Sequence, residues 1–168
     1  MRATLSFTDN SALRQGLIFG IILGAILIAF NLVNNLANLD GTGETWVKNG
    51  SLIVMIVLPG LAGFIGSKET GRVRSGALAV LVTGLVSAAI GIITLWIIAL
   101  VFIDTLHHNA LTTIGFQQSG MTNTEVFIVG GALGGSIFLS VFSFAFGVGY
   151  GLLGSLLGVR YAHPQTRQ

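Results

Sequence analysis

The sequence predicts an all-α, polytopic membrane protein with four transmembrane helices arranged as two tandem helical hairpins. Three observations predict it. Hydrophobic residues make up 52% of the 168 residues and charged residues only 8%. Ordinary soluble domains carry about 25% charged residues, so this chain has too few to cover a surface in water. Four stretches, about 16–39, 50–67, 75–103 and 126–159, contain no Asp, Glu, Lys, Arg or His, and about 20 apolar residues suffice to cross a bilayer. Finally, the basic residues cluster on alternate connections: all but Lys48 of the eight Lys and Arg lie in the N-terminal tail, the segment 66–76 or the C-terminal tail.

The whole chain reads as one transmembrane domain, with a first hairpin over 1–67 and a second over 74–160. A short polar tail holds Arg2, Asp9 and Arg14, and Asp9 and Ser11 suit a helix N-cap. The first span then runs over about 14–37. Its apolar part is longer than a signal-peptide core and no small-x-small cleavage site follows, so it is read as retained. Gly16, Gly20 and Gly24 share one face and let another backbone come close. Asn31, Asn34, Asn35 and Asn38 share a face at its far end. They are either an interfacial helix end or a polar cluster that binds something inside the bundle.

Residues 39–50 read as a loop with Asp40, Glu44, Trp46 and Lys48; Trp46 suits a membrane interface. Asn49-Gly50-Ser51 matches a glycosylation sequon but abuts the next span, and is taken as a chance match. The second span covers about 50–67, short for a core of ~30 Å, and holds Pro59-Gly60, where a kink is expected. The third span covers about 75–103. At 1.5 Å per residue it exceeds the hydrocarbon thickness and must tilt or protrude. Its small face is Gly84, Ser87, Ala88 and Gly91. Residues 104–125 read as a polar connection. Thr122-x-x-Glu125 has the form of a capping box, so the fourth span starts near Asn123 and runs over about 124–159. Gly130-Gly131 and Gly134-Gly135 are places where it can bend.

That fourth span carries two stripes. Ala132, Ser136, Ser140, Ser143, Gly147, Gly151, Gly154 and Gly158 recur at steps of three and four. Phe138, Phe142, Phe146 and Tyr150 recur on roughly the opposite face. One face invites helix contact, since packing of small residues carries association in lipid. The other presents rings to lipid, a partner or a pigment.

The charges set the expected orientation. Arg2, Arg14, Lys68, Arg72, Arg74, Arg160 and Arg167 fall on one side, and by the positive-inside rule both termini are cytoplasmic. The halves resemble each other: Arg14-Gln15-Gly16 with Gly24 matches Arg74-Ser75-Gly76 with Gly84, and Gly60-Leu61-Ala62-Gly63 matches Gly151-Leu152-Leu153-Gly154. A tandem duplication of a hairpin is inferred, with small faces meeting near a pseudo-twofold axis. The segment Gly-Phe-Ile-Gly-Ser-Lys-Glu-Thr-Gly-Arg-Val-Arg-Ser-Gly-Ala-Leu-Ala at 63–79, set between two glycine-rich hairpins, resembles small four-helix bacterial membrane proteins of unknown function. The resemblance covers most of the chain as architecture. It implies the inner membrane of a bacterium and carries no activity with it.

Candidate chemistry is sparse. There is no Cys, which excludes disulfides and thiolate chemistry. Asp104, His107 and His108 form Asp-x-x-His-His, a candidate metal or cofactor ligand set whose alternative is a solvated cap. The segment Gly-Ser-Lys-Glu-Thr-Gly lacks the ending of a Walker loop. Lys68, Arg72 and Arg74 suit anionic lipid head groups, each contributing about 1 kcal/mol near a charged leaflet, and topology alone also accounts for them. Spans without ionisable groups argue against coupled transport and intramembrane acid–base catalysis.

The expectation is therefore a non-catalytic integral membrane subunit or scaffold, partnered by the lipid bilayer and other membrane subunits and not by nucleic acid. Bound lipid is the ligand it would take, with no cofactor indicated. One alternative is a small channel or facilitator lined by Pro59-Gly60 and the Asn31–Asn38 face. A second is a carrier of a pigment or cofactor.

Overall fold

The computed structural model describes residues 7–37, 39 and 41–162. Six helices form among them: α1 (Phe7–Leu36), α2 (Gly41–Thr70), α3 (Val73–Val101), α4 (Ile103–His107), α5 (Ala110–Ser119) and α6 (Thr124–Arg160). Four of them, α1, α2, α3 and α6, are long and apolar enough to cross a membrane, which is the all-α, four-span class expected from composition. One end of the bundle carries the termini and the α2–α3 turn. The opposite end carries α4 and α5, and is called the cap end.

Local chemistry sets the helix limits. α2 ends because Gly71 takes φ +68, a left-handed conformation that glycine adopts without penalty. The Gly71 N–H donates to Ser67 O at 2.8 Å, and the Thr70 hydroxyl donates to Gly66 O at 2.9 Å. Only Gly71 and Arg72 separate α2 from α3. At the start of α6 the cap is Asn123 and not Thr122: Asn123 Oδ1 accepts from the N–H groups of Glu125 (2.9 Å) and Val126 (3.1 Å). Nor is Ser11 a cap, since α1 starts upstream of it at Phe7.

Three stretches differ from expectation. Residues 41–50 are helical and extend α2 well beyond the expected second span. Glu44 stands in the first turn, complementing the helix dipole, and pairs with Lys48 one turn on. Residues 110–119, expected as loop, form α5, whose first turn is capped by Asn109 Oδ1 accepting from Thr112 N–H at 3.3 Å. And α6 runs unbroken through Gly130-Gly131 and Gly134-Gly135.

Packing places the helices in the order α1, α3, α6, α2 around the bundle, with α2 and α3 also touching across its centre. α1 lies more closely along α3 than along α2, its neighbour in sequence, and α2 lies closely along α6. Both of these are parallel pairs, and glycine makes them possible. A Cβ on Gly16 would come 2.6 Å from Ala79 O and from Val82 Cβ; one on Gly20 would come 2.8 Å from Val86 Cβ. Gly24 is closed in the same way by Ile90. So the Gly16/Gly20/Gly24 face receives three β-branched residues of α3 as knobs. Thr83, fully buried, donates across this seam to Gly16 O at 3.2 Å and along its own helix to Ala79 O at 2.9 Å; interhelical bonds of this kind contribute about 0.6 kcal/mol in membrane proteins.

The α2–α6 seam is closer still. Gly154 faces the backbone carbonyl of Gly60, Gly63 faces that of Gly151, and Gly158 faces that of Phe64. The first two contacts are reciprocal: the two Gly-x-x-Gly segments that match in sequence touch each other, first glycine to last. The α1–α3 seam has no such reciprocity, because Gly76, the counterpart of Gly16, faces Ser67, Ser155 and Gly63 O instead. Ser67, Ser75 and Ser155 are all buried at this three-helix crossing.

Substituting Ala at Gly154 would push a methyl group into a carbonyl that belongs to rigid helix backbone. We expect Gly154→Ala to destabilise the bundle by about 1–3 kcal/mol. At Gly130 a Cβ would meet nothing within 4 Å. Gly130→Ala should therefore behave oppositely, stabilising by up to about 1 kcal/mol through helix propensity. Denaturant unfolding in mixed micelles checks both signs.

Candidate functional site

Close packing is concentrated at the termini end, where glycines bring α2, α3 and α6 together. Towards the cap end a Cβ on Gly130, Gly131 or Gly134 of α6 would meet nothing within 4 Å. Two adjoining cavities open there. One, about 300 Å³, lies beneath α4 and α5 and is bordered by Asn34, Asn35, Glu44, Lys48, Asn109 and Thr112 along with apolar residues of α3 and α6. The other, about 420 Å³, lies further into the bundle beside Leu27, Phe30, Met55, Phe138 and Leu139. Asn34, Asn35, Lys48 and Leu95 border both. Volumes of this size fall in the lower part of the ~300–1,000 Å³ range of small-molecule sites.

Three of the four expected asparagines meet here. Asn35 Nδ2 donates to Asn31 O at 2.8 Å, one turn back on α1. Asn109, 5% exposed, donates through Nδ2 to Asn35 O at 3.2 Å, tying the cap to α1. Asn34 Oδ1 is buried and has no hydrogen-bond partner among the described residues. A buried acceptor without a donor costs on the order of 1–3 kcal/mol. The fourth, Asn38, lies outside the described residues. Glu44 and Lys48 pair with each other at the rim, so the site holds both charges with no net charge between them. Below, Leu23, Leu27 and Met55 form a buried cluster, with Leu58, Leu139 and Phe142 packed on it.

That apolar cluster separates the polar cavity from Pro59-Gly60. Pro59 is buried and Gly60 lies against Gly154, so these residues form a packing joint and do not line the cavity. The aromatic stripe also divides. Phe138 and Phe142 stack at 4.2 Å between ring centroids, Phe138 beside the deeper cavity and Phe142 on the buried cluster. Phe138 is 53% exposed, as expected of an outward face, while Phe142 packs inward. Tyr150 is exposed, and the Phe146 side chain lies outside the described residues.

Asp104, His107 and His108 are exposed on or beside α4. The His108 ring is held by its own helix: Nδ1–H donates to Asp104 O at 2.8 Å. Among the described residues no three His, Cys, Asp or Glu side chains are grouped so as to hold a metal, so Asp-x-x-His-His does not close into a ligand set. At the termini end Lys68, Arg72 and Arg74 are exposed, with Lys68 Nζ 5.8 Å from the Phe64 ring centroid. Glu69 accepts from the Ser11 hydroxyl (2.7 Å) and from Gln15 Nε2 (3.0 Å), fastening α1 to the α2–α3 turn.

The helix-packing residues fall into two groups. Gly16, Gly20, Gly24, Gly151, Gly154 and Gly158 all meet another helix closely; Gly91 is buried beside Leu139 and Gly147 beside Val80. Gly84 and Ser140 instead border an open, apolar groove of about 280 Å³ between α3 and α6, together with Ala88, Ala89 and Gly147. Comparison with protein-family models, with curated proteins and with solved structures finds no match to this chain.

Sequence reasoning missed Asn109, Thr112, Glu44 and Lys48 as parts of one site. The spacing of Asn109 and Thr112 is that of an N-cap, and Glu44-x-x-x-Lys48 is that of a helical pair; both signals sat in segments taken as loops. In purified, delipidated protein we expect Asn109→Ala to cost about 1–3 kcal/mol, by loss of the α5 cap and the Asn35 bond. Asn34→Leu should cost less than about 1 kcal/mol, since the acceptor it removes is already unpaired. Hydrogen exchange of the α5 amides should rise in the first variant and stay unchanged in the second.

Proposed function

We propose that the chain is a non-catalytic integral membrane subunit, and that a transmembrane helix of another subunit lies in the α3–α6 groove. One observation carries this reading. Two other runs of small residues in the bundle are covered by a neighbouring helix: Gly16/Gly20/Gly24 by α3, and Gly60/Gly63 by Gly151/Gly154. The Gly84/Ala88 face of α3 and Ser140 of α6 have the same small side chains and border open space. In lipid such a surface gains little from hydrophobicity and much from close contact with another helix. The groove is apolar apart from Ser140, whose hydroxyl already donates to Ser136 O at 2.9 Å. A partner helix thus meets it without leaving polar groups unmatched.

Further support comes from what the spans lack. Their apolar stretches, about 16–39, 50–67, 75–103 and 126–159, contain no charged side chain to carry a proton or an ion, and the buried Leu23–Leu27–Met55 cluster stands below the polar cavity, which favours a subunit over a channel. The orientation that fits the basic residues has both termini and the Lys68/Arg72/Arg74 turn in the cytoplasm, with the cell membrane of a bacterium as the setting. The exposed basic turn would then sit among anionic head groups.

The absence of native cysteine makes the test clean. Ala88→Cys, treated in native membranes with a short bifunctional thiol–amine or photoactivatable reagent, should yield a defined heteromeric adduct. Ile93→Cys, on an exposed part of α3, should yield none. Ala88→Phe should remove the larger species from a native gel while the monomer remains. A single monomeric band in native membranes, with no adduct at position 88, would count decisively against the reading.

A further inference from the structure

The cap-end cavities form one chamber with a gradient of polarity, and the gradient has a direction. Next to α4 and α5 the lining is Asn34, Asn35, Asn109 and Thr112, with the Glu44–Lys48 pair at the rim. Towards the middle of the bundle it becomes Leu27, Met55 and Leu139. The join between the two is where Asn34 presents its buried, unpartnered Oδ1. An acceptor in that position asks for a donor, and none of the described residues supplies one. The opposed charges at the rim leave no net charge to select an ion.

We infer that this chamber binds one single-chain amphiphile whose uncharged head carries a hydroxyl group. The hydroxyl donates to Asn34 Oδ1, and the hydrocarbon chain rests against Leu27, Met55 and Leu139. The molecule is oriented as it would be in the adjacent membrane leaflet, head towards the cap and chain towards the midplane. α5, fastened to α1 by the Asn109 bond to Asn35 O, covers the head. This site is distinct from the α3–α6 groove and stands or falls independently of it.

The chemistry fixes the discrimination. A head that lacks a donor leaves Asn34 unmatched, and loss of one such neutral bond corresponds to roughly tenfold in affinity. A head with a full charge would meet the paired Glu44 and Lys48 and have no counter-ion left to it. A two-chain lipid would have to fit a second tail into the same lower chamber of about 420 Å³.

The test uses the full chain in nanodiscs, with 1-monooleoylglycerol as probe and methyl oleate as its donor-free counterpart. Native mass spectrometry should show one retained monooleoylglycerol per chain and roughly tenfold weaker retention of methyl oleate. Asn34→Leu should abolish that difference by weakening monooleoylglycerol alone. Leu139→Trp, which fills the lower chamber, should weaken both probes, and Ile93→Ala, on the outer surface, should change neither. Equal retention of the two probes by the native chain would overturn the inference. So would undiminished monooleoylglycerol binding in both Asn34→Leu and Leu139→Trp, or preferential retention of a two-chain phospholipid.

Discussion

Everything in this bundle depends on helix backbones that touch without side chains between them. At Gly60, Gly63, Gly151 and Gly154 the carbonyl groups of α2 and α6 press against the Cα positions of the other helix. Gly76 brings α3 into the same crossing beside Ser67 and Ser155. Water cannot drive this association inside a bilayer; van der Waals contact does, and contact at such range requires the smallest residue. The crossing is off-centre, near the termini. The two adjoining cavities lie towards the other end, bordered by Asn34, Asn35, Lys48 and Leu95.

The cap stands over the polar ends of α1 and α2, where Asn34, Asn35, Glu44 and Lys48 border the upper cavity. α4 and α5 pack on α3 and α6, with Leu106 buried among Ile98, Ala99, Ile128 and Ala132 and with Phe116 edge-on to Phe127 at 5.9 Å between centroids. Asn109 does two jobs in this arrangement, capping α5 and bonding to α1. The apolar contacts hold the cap down, and the asparagine fixes its register.

Much of this was legible in the sequence. Four charge-free stretches give four spanning helices because charge is excluded from hydrocarbon, and glycine at intervals of four gives a packing face whatever the partner. The identity of the partner is another matter. Gly16, Gly20 and Gly24 announce that some helix approaches, but the choice of α3 depends on Val82, Val86 and Ile90 projecting at matching heights, which no local pattern encodes. Residues 41–50 and 110–119 were hidden for a different reason. Their composition is polar and glycine-containing, and a helix there draws on capping and on packing against the bundle rather than on apolar periodicity. The polar site was half visible: the asparagine face of α1 can be read directly, while Asn109 joins it across 74 residues of chain.

The pairing of α1 with α3 has a consequence for how the chain is made. Helices enter a membrane in the order of synthesis, and here the first one emerges with its glycine face unclaimed. Its immediate successor, α2, covers little of that face; the valines that fill it belong to α3. Until α3 is inserted, the nascent first helix is an adhesive surface without its intended mate. The Glu69 clamp on Ser11 and Gln15 lies in the last turn of α2, shortly before α3, so the residue that fastens α1 in place arrives just ahead of the helix that completes it. The order of the chain thus times the closing of its own first seam.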